Sequence, residues 1–123
     1  MSVKASKIIF WITTGLLAVM SVMAVVMYIT KFDDVAEVVI KMGFPTYIIY
    51  FLAVAKPLAL IAIITRISPM LKEWAYSGLF FVYTLAVIGH VMAEDGEFVG
   101  AIVAAVLLLA SYFTGKKAFK KAD

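Results

Sequence analysis

Four long apolar stretches, separated by short polar ones, make up almost the whole chain. They cover residues 8–30, 46–65, 71–93 and 98–114. Each has about 17 residues or more, the length a helix needs to cross the hydrocarbon core of a bilayer. The pattern changes between the first two. In residues 31–45, Phe32, Val35, Val38, Val39 and Met42 recur at helical spacing, with Asp33, Asp34, Glu37 and Lys41 between them. This predicts a short amphipathic helix, ended by Gly43, with Pro45 opening the next element. The helix is expected to lie flat in the membrane interface; the alternative is a lid tucked over the bundle, and periodicity alone does not separate the two. The remaining connections are tight. Arg66, Ser68 and Pro69 form one turn, and Glu94, Asp95, Gly96 and Glu97 the other. Short connections make sequential helices antiparallel neighbours. The expected fold class is therefore an all-α membrane protein. It is a four-transmembrane-helix up-down bundle with a short amphipathic helix between helices 1 and 2. Residues 1–123 read as a single domain.

Small and polar residues within the spans add detail. Thr14, Ser21 and Tyr28 recur every seven residues and share one face of the first span, as do Tyr76, Tyr83 and His90 on the third. Trp74 and Tyr76 also suit the headgroup level, where aromatic residues gather. Gly100 with Ala104, and Ala101 with Ala105, have the spacing that lets helices approach closely, which is expected to serve packing inside the bundle. The Val22-Met23-Ala24 run loosely fits a signal-cleavage site. The apolar stretch is too long for a signal core and continues past it, so a retained helix is expected.

Composition agrees with lipid as the solvent. Of the 123 residues, 65% are apolar and only 15% charged, against about half apolar in a soluble domain. There is no cysteine and one histidine, which removes disulfides, thiolate sites, dithiol chemistry and histidine-cluster metal sites from consideration. No cofactor is expected. The net charge of +3 comes with a basic tail of Lys116, Lys117, Lys120 and Lys121. Beside a membrane helix such a tail is a cytoplasmic anchor near anionic lipid, not a nucleic-acid site. Lys4, Lys7, Arg66, Lys72 and that tail fall at one end of the bundle. Lys31 and Lys41 fall at the other, among six carboxylates. The positive-inside rule then places both termini in the cytoplasm.

One position breaks the apolar pattern. Lys56, followed by Pro57, sits halfway along the second span. A charge at that depth costs about 3 kcal/mol on insertion scales, so it should face the protein interior. Pro57 frees the carbonyl of Ala53, which becomes an expected hydrogen-bond partner. Glu73 is an unsuitable partner, because the lysine leans towards the opposite end of the bundle. Glu73 is expected to serve its own helix N-terminus or a nearby cation. Tyr83 should lie level with the lysine, with His90 nearer the surface and Glu94 one turn further. The candidate ligand-binding residues are therefore Lys56, Tyr83, His90 and Glu94. They would form a polar pocket in the non-cytoplasmic half, with Thr14 or Ser21 contributing and Asp33, Asp34 and Glu37 on the lid. The plainer alternative is a lysine that snorkels outward onto a tyrosine hydroxyl or a carbonyl.

Several stretches together resemble the DoxX-like family of small bacterial membrane proteins. They are Lys7-Ile8-Ile9-Phe10-Trp11 with Gly15-Leu16-Leu17, Met42-Gly43-Phe44-Pro45-Thr46-Tyr47, Ala53-Val54-Ala55-Lys56, Leu71-Lys72-Glu73-Trp74-Ala75-Tyr76-Ser77-Gly78, and His90. Pro57 and Ser77 depart from the family's usual residues. The resemblance implies a four-helix bundle in the bacterial inner membrane. The family's name is linked to subunits of thiosulfate:quinone oxidoreduction, although fold alone does not transfer an activity. The expected function is binding of a lipophilic or anionic small molecule, a quinone being one candidate, as a redox- or stress-related accessory. The alternative is an interaction subunit whose small-residue face docks another membrane protein or a second copy. Enzyme or proton-carrier chemistry by Lys56 and His90 is the least favoured reading, because two titratable groups are not a mechanism.

Overall fold

The computed structural model describes residues 2–119. Lys120 and Lys121 of the basic tail lie outside the described residues. Five helices follow one another: α1 (Val3–Thr30), α2 (Phe32–Lys41), α3 (Ile48–Thr65), α4 (Pro69–Ala93) and α5 (Phe98–Ala118). Helices α1, α3, α4 and α5 are each long and apolar enough to cross a membrane. The protein is a multi-pass integral membrane protein with a helical-bundle fold, as the apolar pattern predicts.

Three spans outrun their apolar stretches. Helix α1 starts at Val3 because the Ser2 hydroxyl accepts from the Ala5 N–H, capping a free end. It then continues unbroken through Val22-Met23-Ala24. Helix α5 extends to Ala118 and has 21 residues, about 30 Å at 1.5 Å per residue, enough for a full crossing. Helix α4 starts two residues early, with Ser68 as its cap and Pro69 in its first turn, where the missing proline N–H is of no consequence.

The spans close into a ring. Helix α1 packs on α3 and α5, and α4 packs on the same two. The Arg66 guanidinium lies 5.2 Å from the Phe10 ring and 4.5 Å from that of Phe119. The α3–α4 turn therefore lies at the end of the bundle that carries the beginning of α1 and the end of α5. Helix α2 and the 94–97 connection lie at the opposite end, called here the roofed end.

The core contains Phe10, Leu17, Leu60, Ile63, Leu79 and Leu108. The outer surface is also apolar, with Val22, Phe51, Val54, Ile61, Phe81 and Val106 all exposed. That distribution suits a lipid surround, where polar side chains turn inward to find partners. Thr14 and Tyr76 do so: each shares a 2.7 Å hydrogen bond with the Ser111 hydroxyl. Tyr76 thus belongs to the interior and not to an interfacial belt, while Trp74 beside it is exposed.

Helix α2 resolves the two placements left open by its periodicity. Val35, Val38, Val39 and Met42 face a cavity within the bundle, and Asp33, Asp34, Glu37 and Lys41 are exposed. It is a roof. Gly43 ends it at φ 91°, a left-handed conformation that glycine adopts at little cost. Phe32 stacks on Tyr50 of α3 at 5.3 Å. Met42 sits directly on α4: a Cβ added at Gly89 would lie 2.6 Å from the Met42 Cε and 3.1 Å from its Cβ. The absence of a side chain at Gly89 is what lets the roof close this tightly.

Candidate functional site: a roofed cavity around Lys56

Beneath α2 lies a cavity of about 370 Å³, walled by all four spans. This is within the size range of small-molecule sites. Most of its lining is aliphatic, including Leu52, Val82 and Ala86. Its polar groups are few, and Lys56 is the most consequential.

Lys56 is only 8% exposed. Its Nζ donates a 2.9 Å hydrogen bond to the Tyr28 hydroxyl. The nitrogen also lies 5.3 Å from the Tyr28 ring centroid and 5.8 Å from that of Tyr83, close enough for attraction between the ammonium and the ring faces. An ammonium has three hydrogens to donate. Among the described residues, Tyr28 is the single hydrogen-bond acceptor it reaches, and no carboxylate forms an ion pair with it. The Ala53 carbonyl, freed by Pro57, does not take the expected bond. The side chain reaches across to α1 instead.

Tyr28 was visible in the sequence as one member of the Thr14, Ser21, Tyr28 face. Its role was hidden because the register between α1 and α3 depends on the roof segment that joins them. The same face divides by depth. Ser21 lines the cavity, and its buried hydroxyl has no hydrogen-bond partner among the described residues. Thr14, two turns deeper, is tied to Ser111. Leu17, Leu79 and Leu108 are buried in the core, and no hydrogen bond links the Thr14–Ser111–Tyr76 group to Lys56 among the described residues.

Tyr83 and His90 also line the cavity. His90 is held by its own loop: Nδ1 lies 2.8 Å from the Asp95 Oδ2. The His90 hydrogen bond, followed by one from the Glu97 N–H to Oδ1, holds the Asp95 carboxyl below its usual range. An ionised carboxylate can only accept, so the Nδ1 carries the proton. Glu94 is placed apart from Lys56, Tyr83 and His90. It is exposed, caps α4 in a left-handed conformation at φ 54° and does not line the cavity. That turn brings the next carboxylate, Asp95, back onto the histidine. Glu97 is the acidic residue in the lining.

The small residues of α5 serve packing, as their spacing predicts, and border the cavity too. Ala104 packs in the core, but Gly100 and Ala101 line the cavity as well. Nothing lies within 4 Å of a Cβ added at Gly100. Gly100 and Ala101 help create the hollow, while Ala104 and Ala105 pack in the bundle. At the other end, the Glu73 carboxylate accepts from the Tyr112 hydroxyl at 2.9 Å and lies 3.9 Å from the Lys72 Nζ, as its expected use of a nearby cation requires.

The geometry defines a class: a four-span membrane bundle with a roofed, mostly apolar cavity and, among the residues described as lining it, one buried ammonium, that of Lys56. The DoxX-like family profile matches residues 12–114, and the chain belongs to that family. Comparison with curated proteins and with solved structures gave no match.

Proposed function

We propose that the protein binds a lipophilic small molecule in the roofed cavity, with the molecule's polar end held by Lys56. The observation that carries this reading is the unequal pairing of the lysine. A buried ammonium with one neutral acceptor retains hydrogens for a carbonyl or anionic oxygen, and an uncompensated charge in lipid is usually functional. Tyr83 borders the same space and His90 lies towards the roof, so a ligand with oxygen atoms at both ends, such as a quinone, is one candidate. Glu94 could act only at the rim, through its loop. The location that fits is the bacterial inner membrane. The end carrying Lys4, Lys7, Arg66, Lys72 and Lys116 would face the cytoplasm, and the roof would face the opposite side. With this binding goes the accessory role in redox or stress chemistry that the family resemblance suggests.

The alternative was a docking subunit using the small-residue face of α5. On that reading the same face would have a second use, since Gly100 and Ala101 also border the cavity. The test is purification in mild detergent followed by mass spectrometry of co-purified molecules, comparing wild type with Lys56→Met. A small molecule present in the wild type and depleted in the variant supports binding. Equal small-molecule content in both contradicts it.

A further inference from the structure

The cavity is unevenly enclosed. Among its described lining residues, Leu85, Glu97 and Gly100 are exposed, and every other one is buried or half-buried. These three belong to α4, the start of α5 and the short loop between them. The walls contributed by α1 and α3, and the α2 roof, have no exposed lining residue. Leu85 is 47% exposed and lies within a span, so the open side faces lipid tails. The roof, by contrast, is seated by the Met42–Gly89 contact.

The polar end of the cavity is also one-sided in its chemistry. Lys56 has unused hydrogens and no ionic partner among the described residues. Ser21 has an unpartnered buried hydroxyl. Tyr28, having accepted from the lysine, still has its own hydrogen to donate. Such a donor-rich end with a net positive charge selects an acceptor that carries negative charge, because pairing is what makes a buried ion tolerable. The rest of the lining is mostly apolar, with His90 and Glu97 towards the roofed end, and the cavity opens sideways into the bilayer.

We infer that the cavity is loaded from the lipid phase through the α4–α5 seam by a single-chain amphiphile with an anionic head, such as a long-chain carboxylate. The head reaches Lys56, and the tail lies along Val82, Leu85 and Ala86 and leaves through the seam into the surrounding lipid. This rests on the binding function proposed above and specifies its ligand and route. The roof stays closed during loading, which keeps water from the ammonium and preserves the strength of its pairing.

The test uses the full chain in proteoliposomes, with a diazirine-bearing hexadecanoic acid and the matching hexadecanol as probes. After irradiation, labelled residues are mapped by mass spectrometry. The acid should label the cavity lining and the alcohol should not. Lys56→Met should lower acid labelling by about 30-fold or more, as loss of one member of a buried charge pair does. Lys56→Arg, which keeps the charge, should retain the preference for the acid. Gly100→Trp should slow labelling by narrowing the seam. The roof is tested separately with Met42→Cys combined with Gly89→Cys. The chain has no other cysteine, and the 3.1 Å separation between the Met42 Cβ and an added Gly89 Cβ lets a disulfide form after a small outward shift, as such bonds span about 3.5–4.5 Å between Cβ atoms. Oxidation should leave acid labelling unchanged relative to the reduced form. Equal labelling by acid and alcohol overturns the anionic head. Labelling blocked by the roof disulfide overturns the lateral route. A Lys56-dependent co-purified molecule together with no acid labelling overturns this inference alone; loss of both overturns the binding function as well.

Discussion

The Lys56 ammonium and the Tyr28 hydroxyl, 28 positions apart, meet at 2.9 Å in the half of the bundle under the roof. The bond joins α3 to α1 and gives the ammonium one neutral partner. The consequences for stability and for binding should separate. Tyr28→Phe leaves the ammonium without its protein acceptor and should destabilise the fold by about 1–3 kcal/mol. Lys56→Met removes the buried charge and should be neutral or stabilising, since apolar replacements of buried ions often are. With both changes together, the cost of Tyr28→Phe should largely vanish. Denaturant unfolding in mixed micelles, read as a double-mutant cycle, checks this.

Gly89 should tolerate no side chain opposite Met42 without the roof shifting outwards. Gly89→Ala places a Cβ against Met42, whose own Cβ is near enough that rotation of the side-chain end cannot relieve the contact fully. Overpacking of this kind costs about 1–3 kcal/mol. Hydrogen exchange should rise across residues 32–44 and remain unchanged at the Thr14–Ser111–Tyr76 group. Met42→Gly in the same background should restore much of the protection.

The Ser111 hydroxyl should be structural and unconnected to the cavity. Ser111→Ala strips Thr14 and Tyr76 of their shared partner in the interior and should destabilise by about 1–3 kcal/mol. The co-purified small molecule should be retained, in contrast to Lys56→Met. Thermal unfolding and mass spectrometry of the same preparation distinguish the two sites.

The His90–Asp95 contact carries a pH dependence of definite sign. The Asp95 carboxyl is held below its usual value of 3.8, first by the His90 hydrogen bond and then by the Glu97 N–H. A carboxyl lowered on folding contributes stability above its unfolded value, and this is lost as pH falls through the folded one. Wild type should therefore unfold at a higher temperature than Asp95→Asn at pH 5 and above. The difference should shrink as pH falls below 3.8. Thermal midpoints of both proteins across that range are the measurement.

Much of the architecture was legible because lipid imposes a harsh rule: polar groups within a span must have a reason to be there. That rule identified the four spans and singled out Lys56. It could not identify Tyr28, because which faces of α1 and α3 meet is decided by the intervening helix and by packing across the ring. The placement of α2 was ambiguous for a related reason. An apolar face reads alike whether it meets lipid or a protein cavity, and the Met42–Gly89 contact that decides the matter links residues 47 positions apart. Glu94 was a natural histidine partner at helical spacing. The helix ends there in a left-handed turn, so spacing stops predicting direction and Asp95 takes the contact. Gly100 and Ala101 show the same limit, since close packing and a hollow have one sequence signature.

The most direct measurement is an experimental density map of the protein prepared in lipid from its native membrane, viewed at the Lys56 nitrogen. The account predicts a non-protein molecule in the cavity, with an oxygen at hydrogen-bonding distance from that nitrogen and an apolar portion against Val82 and Ala86. A cavity filled by ordered water alone, or a lysine side chain turned out towards the lipid tails, would contradict it.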